Sequence, residues 1–230
     1  MSLIQVLPYG KVNHEMVQMI TRHIREMFGC DVDIHAPLPR PDYAYDATKV
    51  QYSSTLILRN LAAISNSKAG KFLAITEVDL FIPMLTFVFG QAQLAGRLAI
   101  VSLARLRPEF YGLPADKDVM VRRIRKEVAH ELGHTFGLVH CTDKSCLMSL
   151  STEIMQVDLK SENFCKNCWI LLEENLEEMK RQSAAISVQN NLHDGGRERH
   201  RHTDQKDEDE QEMAQDARRR ATSPSPNVDS

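Results

Sequence analysis

One stretch restricts this chain more than any other: Val128-Ala-His-Glu-Leu-Gly-His-Thr-Phe-Gly-Leu-Val-His140, followed directly by Cys141. It sets His130, Glu131, His134, Gly137 and His140 in the pattern H-E-x-x-H-x-x-G-x-x-H. Imidazoles at i and i+4 stand one helical turn apart and can share a tetrahedral ion at about 2.0–2.1 Å. Glu131 lies about 100° round the helix from His130, too far to chelate comfortably alongside both. It is better placed to hold and deprotonate a metal-bound water, the role of a general base. His140 cannot join the pair if the helix continues, because the six residues from His134 carry it about 240° round and about 9 Å along the axis. Gly137 is where the helix can break, since glycine accepts the left-handed conformation of a helix C′ position. Three neutral nitrogen ligands and an open fourth position make a catalytic rather than a structural zinc site. With this composition H-E-x-x-H is expected about 0.02 times by chance, and the full pattern on the order of 10⁻⁵–10⁻⁴ times. A metal bound without catalysis, Glu131 being an outer group only, is the sharper alternative.

The helix that carries the pair is expected to start at Asp116 or Asp118, either of which can cap it. Val121, Ile124, Val128 and Leu132 then fall within about 80° of one another and should face a sheet. His130 and His134 lie on roughly the opposite side, so the helix should be packed on one face and line a cleft with the other. Beyond it come Cys141-x4-Cys146 and Cys165-x2-Cys168, two close pairs separated by 18 residues. That is the spacing of a closed, four-cysteine structural zinc site. Two thiol pairs without metal, or two disulfides, are the alternatives. The fifth cysteine, Cys30, reads as a small buried side chain. Cys141 directly follows His140, so the second metal would pin the segment that carries the third histidine. Met148, taken alone, reads as core filler.

Elsewhere the chain mixes strands and helices. Strands are expected at 2–7, 31–35, 72–82, 86–89 and 94–103, the last being the most apolar. Helices are expected at 14–28 with a stop at Gly29, at about 54–65 with Ser53 or Ser54 as cap, and at 169–185. His14 and His23 should face solvent. Five strands with these helices indicate an α/β or α+β fold, a five-stranded sheet with one long active-site helix. The chain has 230 residues and 43% hydrophobic composition, enough for one domain with a tail. Residues 1–185 form the expected domain, with an upper region over 1–138 and a zinc-bearing C-terminal region over 139–185. Residues 186–230 form a charged tail expected to be disordered, since from Asp194 onward no aromatic residue is present. A net charge of −3 gives no push toward nucleic acid or membrane. No apolar run could span a bilayer, and neither a signal segment nor a disulfide framework is legible. The expected address is cytoplasmic.

The motif with its cysteines resembles the metzincins, and His140-Cys141-x4-Cys146-x-Met148 with Cys165-x2-Cys168 is similar to the archaemetzincins in particular. Ile75-Thr-Glu-Val-Asp79-Leu-Phe, Phe87-Val-Phe-Gly-Gln-Ala and Ile100-Val-Ser-Leu-Ala-Arg105-Leu extend the likeness over about residues 1 to 180. The resemblance implies a metzincin-like zincin with a twisted five-stranded mixed sheet. It implies catalytic zinc on His130, His134 and His140, Glu131 as base, and Met148 as the methionine turn beneath the metal. It also implies a second zinc on Cys141, Cys146, Cys165 and Cys168, hence two Zn2+ per chain. The antiparallel edge strand that would pair with an extended substrate is then Thr86 to Phe89. The expected activity is zinc-dependent hydrolysis of peptide bonds in a peptide or protein, without nucleic acid or membrane as partner; endo- or aminopeptidase action and oligomeric state are left open. The second expectation, from another class, is a catalytically silent two-zinc scaffold whose cleft holds a peptide.

Overall fold

The computed structural model describes residues 4–65, 70–182 and 184. The first strand, β1 (Ile4–Tyr9), leads to α1 (His14–Phe28), whose Asn13 cap accepts hydrogen bonds from the amides of Glu15 and Met16. Gly29, at φ 55°, ends α1 in the left-handed conformation that a residue without Cβ adopts freely. Then come β2 (Val32–Ile34), β3 (Tyr45–Asp46) and β4 (Gln51–Ser53). Ser53 caps α2 (Ser54–Ile64), its hydroxyl accepting from Leu56. Five short strands follow: β5 (Lys71–Thr76), β6 (Leu80–Ile82), β7 (Leu85–Val88), β8 (Gly90–Ala92) and β9 (Leu98–Ser102). The helix that carries the histidine motif is α3 (Lys117–Thr135), succeeded by α4 (Ile154–Leu159) and by α5 over residues 166–182.

The main sheet runs β2-β1-β5-β9-β8, with all neighbours parallel except β8, which pairs antiparallel with β9 at one edge. Alternation along the strands divides the core between two faces, because successive side chains point to opposite sides. Ile4, Val6, Leu73, Ile75, Ala99 and Val101 pack with α1 and α3, while Leu7, Phe72, Ala74, Leu98 and Ile100 pack with α2. With both faces covered, β5 and β9 are apolar almost without interruption. The mixed five-stranded sheet with its long helix is therefore the architecture expected. A smaller sheet, β3-β4-β6-β7, lies outside it.

Four expectations are corrected. Residues 72–82 are not one strand: β5 ends at Thr76, and the chain turns before β6 joins the smaller sheet. The break falls where carboxylates enter the apolar run, with Asp79 held by Arg105 at 2.6 Å and by the Gln51 amide at 2.8 Å. The strand beginning near Thr86 belongs to the smaller sheet as β7, and the antiparallel edge beside the cleft is Gly90–Ala92 instead. Residues 94–97 are a turn, with Ala95 at φ 53° and only 98–102 in the ladder. His23 is 4% exposed rather than solvent-facing, wedged between α1 and α3 where its Nε2 lies 3.0 Å from the Arg125 carbonyl. The expected tail, 186–230, lies outside the described residues, as do residues 183 and 185 of the helix expected at 169–185. Among the described residues no helix is long and apolar enough to cross a membrane.

Candidate metal centre

Asp116 caps α3, its carboxylate accepting from the amides of Asp118 and Val119. The apolar stripe meets the sheet as expected at Ile124, Val128 and Leu132, but from Met120 onward burial extends round most of the helix. At the far end the amide of Gly137 bonds to the His134 carbonyl at 2.9 Å, and Leu138 bonds to Gly133 at 3.0 Å. With Gly137 at φ 86°, these are the paired bonds of a Schellman termination, and the chain doubles back at the residue where geometry required it. The returning chain then serves the helix. The Leu138 carbonyl lies 2.7 Å from Nδ1 of His134, and the Leu147 carbonyl 3.0 Å from Nδ1 of His130.

Those two contacts decide the chemistry of the rings. A carbonyl can only accept, so each Nδ1 carries the proton and each Nε2 is left as a bare lone pair. The two Nε2 atoms nevertheless stand 3.2 Å apart. Two lone pairs facing at that distance repel unless a cation lies between them. The His140 ring completes the set, 5.4 Å from the His130 ring and 4.8 Å from that of His134 by centroid. One ligand atom from each histidine lies within 4.8 Å of the others. Burial, first among the causes, holds all three imidazoles below their ordinary pKa and so keeps them in the neutral form that binds metal. The donor set fits a zinc ion.

Glu131 is 6% exposed and projects over the edge of the main sheet. A Cβ at Gly90 would fall 2.6 Å from Glu131 Cγ, 2.7 Å from its Oε1 and 2.7 Å from the Ile100 carbonyl. Only a glycine in β8 lets the carboxylate lie there. Burial foremost, and the charge of Glu127 next, push the Glu131 carboxyl well above the ordinary range, with Lys160 opposing. Met148 is fully buried, and its sulfur lies 2.6 Å from where a Cβ on Gly133 would be. The methionine thus packs directly under the helix turn between the two histidines. The amide of Cys141 bonds to the Met148 carbonyl at 2.9 Å, which ties the third histidine's segment to this floor.

The four cysteines of the two pairs also come together, with every Sγ within 4.8 Å of the others and none in a disulfide. Cys146 Sγ accepts from the amides of Cys165 and Met148 at 3.3 and 3.4 Å, and backbone donors of this kind favour a thiolate. The Cys168 amide leads the causes that draw the Cys165 thiol down to about 7, while burial pushes Cys146 and Cys168 up. A divalent cation would offset that penalty, so this set too fits zinc. Cys30, by contrast, stands alone and half-buried.

A cavity of about 480 Å³ opens on the three histidines and Glu131, walled by the β7–β8 run and by Val139 and Leu150. Four residues escape a motif-based reading: Gly90, Gly133, Glu127 and Lys160. Gly133 is detectable as a glycine inside a helix, a placement that costs about 1 kcal/mol and asks for a reason. Gly90 reads only as a strand end, and Glu127 and Lys160 read as ordinary surface charges. Nothing in their spacing announces a buried ion pair.

The sequence matches the profile of Peptidase family M54 over residues 5–174. An archaemetzincin of Methanocaldococcus jannaschii is 46% identical over 167 residues, 71% of this chain and 88% of that one. One of Pyrococcus furiosus is 40% identical over 181 residues, covering 76% and 94%. In three dimensions the chain resembles the crystal structure of the Methanopyrus kandleri archaemetzincin (TM-score 0.67, 37% identity, 76% and 96% covered). It also resembles that of Archaeoglobus fulgidus, solved with malonate (TM-score 0.64, 30% identity, 73% and 99% covered). With this family likeness and the histidine centre beneath it, the chain belongs to peptidase family M54, the archaemetzincins, and is a zinc metallopeptidase.

Proposed function

We propose that His130 and His134, each through Nε2, hold the catalytic zinc together with His140, and that Glu131 is the base of peptide hydrolysis. The observation that carries this reading is the pair of bare Nε2 atoms 3.2 Å apart, each ring locked by its Nδ1 contact to a carbonyl. Bound zinc supplies Lewis acidity, which acidifies water and polarises a carbonyl. Glu131 takes the proton of the attacking water on a carboxylate oxygen and delivers it to the leaving amine nitrogen. The short edge strand β8 leaves one side of its backbone free for an extended peptide, and the cleft wall beside it is largely apolar. Gly137 supplies the turn and Met148 the apolar floor. Cys141, Cys146, Cys165 and Cys168 hold a second, structural zinc, which makes two per chain. Residues 1–185 act as the catalytic domain, the region from 139 onward being the one that carries the second metal. Cysteines assigned to a metal rather than to disulfides suit a cytoplasmic address.

Substituting Glu131→Gln tests the mechanism. The variant should keep two zinc ions per chain while peptide hydrolysis falls by about 10²–10⁴-fold, the usual contribution of a general base. Hydrolysis that survives undiminished would remove Glu131 from its role. A chelator should abolish product in the parent chain, and product formed in its presence would reject the zinc reading altogether.

A further inference from the structure

Among the described residues, Lys160 stands out as a lysine that the fold buries outright. Its side chain is 0% exposed, and its Nζ lies 2.8 Å from Oε1 of Glu127, itself 4% exposed. Apart from this ion pair neither atom has a hydrogen-bond partner among the described residues. Burying a charge pair is costly, and hydrophobic residues of similar size would stabilise the fold as well or better, so the pair asks for a function.

Its position supplies one. Glu127 lines the same cavity as the three histidines. It stands three residues before His130, and Glu127-Val-Ala-His130 is a Glu-x-x-His pair. On a helix that spacing puts a carboxylate and an imidazole on one face, where both can ligate a single metal. Yet the Glu127 carboxylate stands outside the cluster that the three imidazoles form. It is turned instead to Lys160, and Lys160 cannot follow it toward the cleft. The segment before Lys160 is fastened to α3 by Lys126 Nζ, 2.9 Å from the carbonyls of Val157 and Asp158. Arg123 adds two contacts of 2.7 Å to the Asp158 carboxylate. Ser161 bonds onward to the Ser145 carbonyl at 2.8 Å.

We propose that Lys160 is a positioning residue that holds Glu127 away from the three-histidine metal site and so keeps the fourth coordination position open. A three-histidine site with a fourth protein ligand is closed in the manner of a structural site; without it the position is available for chemistry. The inference rests on the assignment of His130, His134 and His140 as zinc ligands.

The test uses the full chain, with zinc as probe and two readouts. The first is the zinc affinity of the histidine site, measured by competition with a chromophoric chelator. The second is peptide hydrolysis. In Lys160→Met the freed carboxylate should tighten zinc on the order of 10–100-fold, the range over which outer groups tune metal sites. Hydrolysis should fall at the same time by about ten-fold or more, because the open position is lost. In the double variant Glu127→Gln/Lys160→Met, no carboxylate remains to close the site, and both readouts should return to within about three-fold of the parent. Tighter binding with slower turnover is a pairing that mere structural damage does not produce, since damage loosens zinc. Should Lys160→Met fail to fold, Lys160→Gln, which keeps a donor without the charge, should move both readouts in the same directions. Zinc affinity that is unchanged or weaker in the single variant, or a double variant that stays slow, overturns the proposal. A parent whose histidine site takes no zinc overturns the ligand assignment as well. A parent that binds zinc but cleaves nothing rejects only the peptidase mechanism, and the affinity arm still decides the role of Lys160.

Discussion

Gly90 is the residue at which sheet and chemistry meet. An alanine there would place its Cβ 2.7 Å from the Ile100 carbonyl, inside the β8–β9 ladder, as well as against Glu131. A side-chain end can swing away, but a carbonyl held in a ladder cannot. Gly90→Ala should therefore cost about 1–3 kcal/mol of stability, as overpacking does, and displace Glu131, the proposed base, from its place over the edge strand. Thermal unfolding and hydrolysis measured together check this; a variant as stable and as active as the parent would mean that the strand relaxes freely. His23 offers a second residue-scale prediction. Its Nδ1 faces Nε of Arg125 at 3.1 Å, so it must accept there, and its Nε2 donates to the Arg125 carbonyl. Burial first, then the Arg125 charge, lower its pKa, against weaker pulls from the Arg125 backbone hydrogen bond, Glu162 and Glu26. The unfolded chain takes up this proton near the ordinary value of 6.5, whereas the folded chain resists it. The contribution of His23 is thus present above 6.5 and is lost as pH falls toward the lower folded value. The stability gap between the parent and His23→Gln should shrink from about pH 7.5 to about pH 5.5 in urea titrations, and a gap that widens would refute the assignment.

The end of α3 depends on elements far from it in sequence. The His134 carbonyl accepts from the amide of Ala95, and the Thr135 carbonyl accepts from Lys71 Nζ at 2.7 Å. The same ammonium reaches the Gly96 carbonyl at 2.8 Å. Strand β5, the β8–β9 turn and the helix terminus are thereby joined at one cation, which also opposes the negative end of the helix dipole. Lys71→Met should lose about 1.5–3 kcal/mol, the range for hydrogen bonds to a charged group, and weaken zinc binding at the neighbouring His134. Chemical denaturation and chelator competition read the two effects, and zinc binding that stays intact while stability falls would show that the tie serves the fold alone. How far the elements are legible in the sequence follows from the range of the forces behind them. α1, α2 and α3 are marked by local chemistry: Asn13, Ser53 and Asp116 at their starts, glycines after two of their ends, and an apolar period between. The run from Leu80 to Ala92 is not, because periodicity records which residues are buried and not which neighbour a strand pairs with. Its three short strands divide between two sheets, and that choice is made by partners as distant as Tyr52 and Val101. His23 escapes a local reading for a related reason, since its partner Arg125 is 102 residues away.

At the scale of the molecule, the legible portion of the site is the one written in a single stretch. The spacing from His130 to His140, the break at Gly137 and the two cysteine pairs can each be read locally, and the fold brings each set together. What the fold adds is their connection. His140 and Cys141 are consecutive, Cys141 bonds to Met148, Met148 lies beneath Gly133, and Cys146 shares its sulfur with the amides of Met148 and Cys165. The two candidate metal sets are thus consecutive portions of one packed chain, and a change at the cysteines should be felt at the histidines. Cys165→Ser/Cys168→Ser removes half of the proposed second ligand set without substituting any residue that touches a histidine. Structural zinc in small domains contributes on the order of 10 kcal/mol or more, so losing it should release residues 141–168 from the native fold. Zinc content should drop from the proposed two per chain, and the histidine site should bind its own ion on the order of 10–100-fold more weakly, because the segment that orients His140 and supplies the Leu147 acceptor to His130 is no longer held. Metal analysis and chelator competition on the purified variant decide the matter. One zinc retained at parental affinity would make the cysteine site a separate staple, whereas weakened binding at intact histidines would show that the second metal is part of how the first is built.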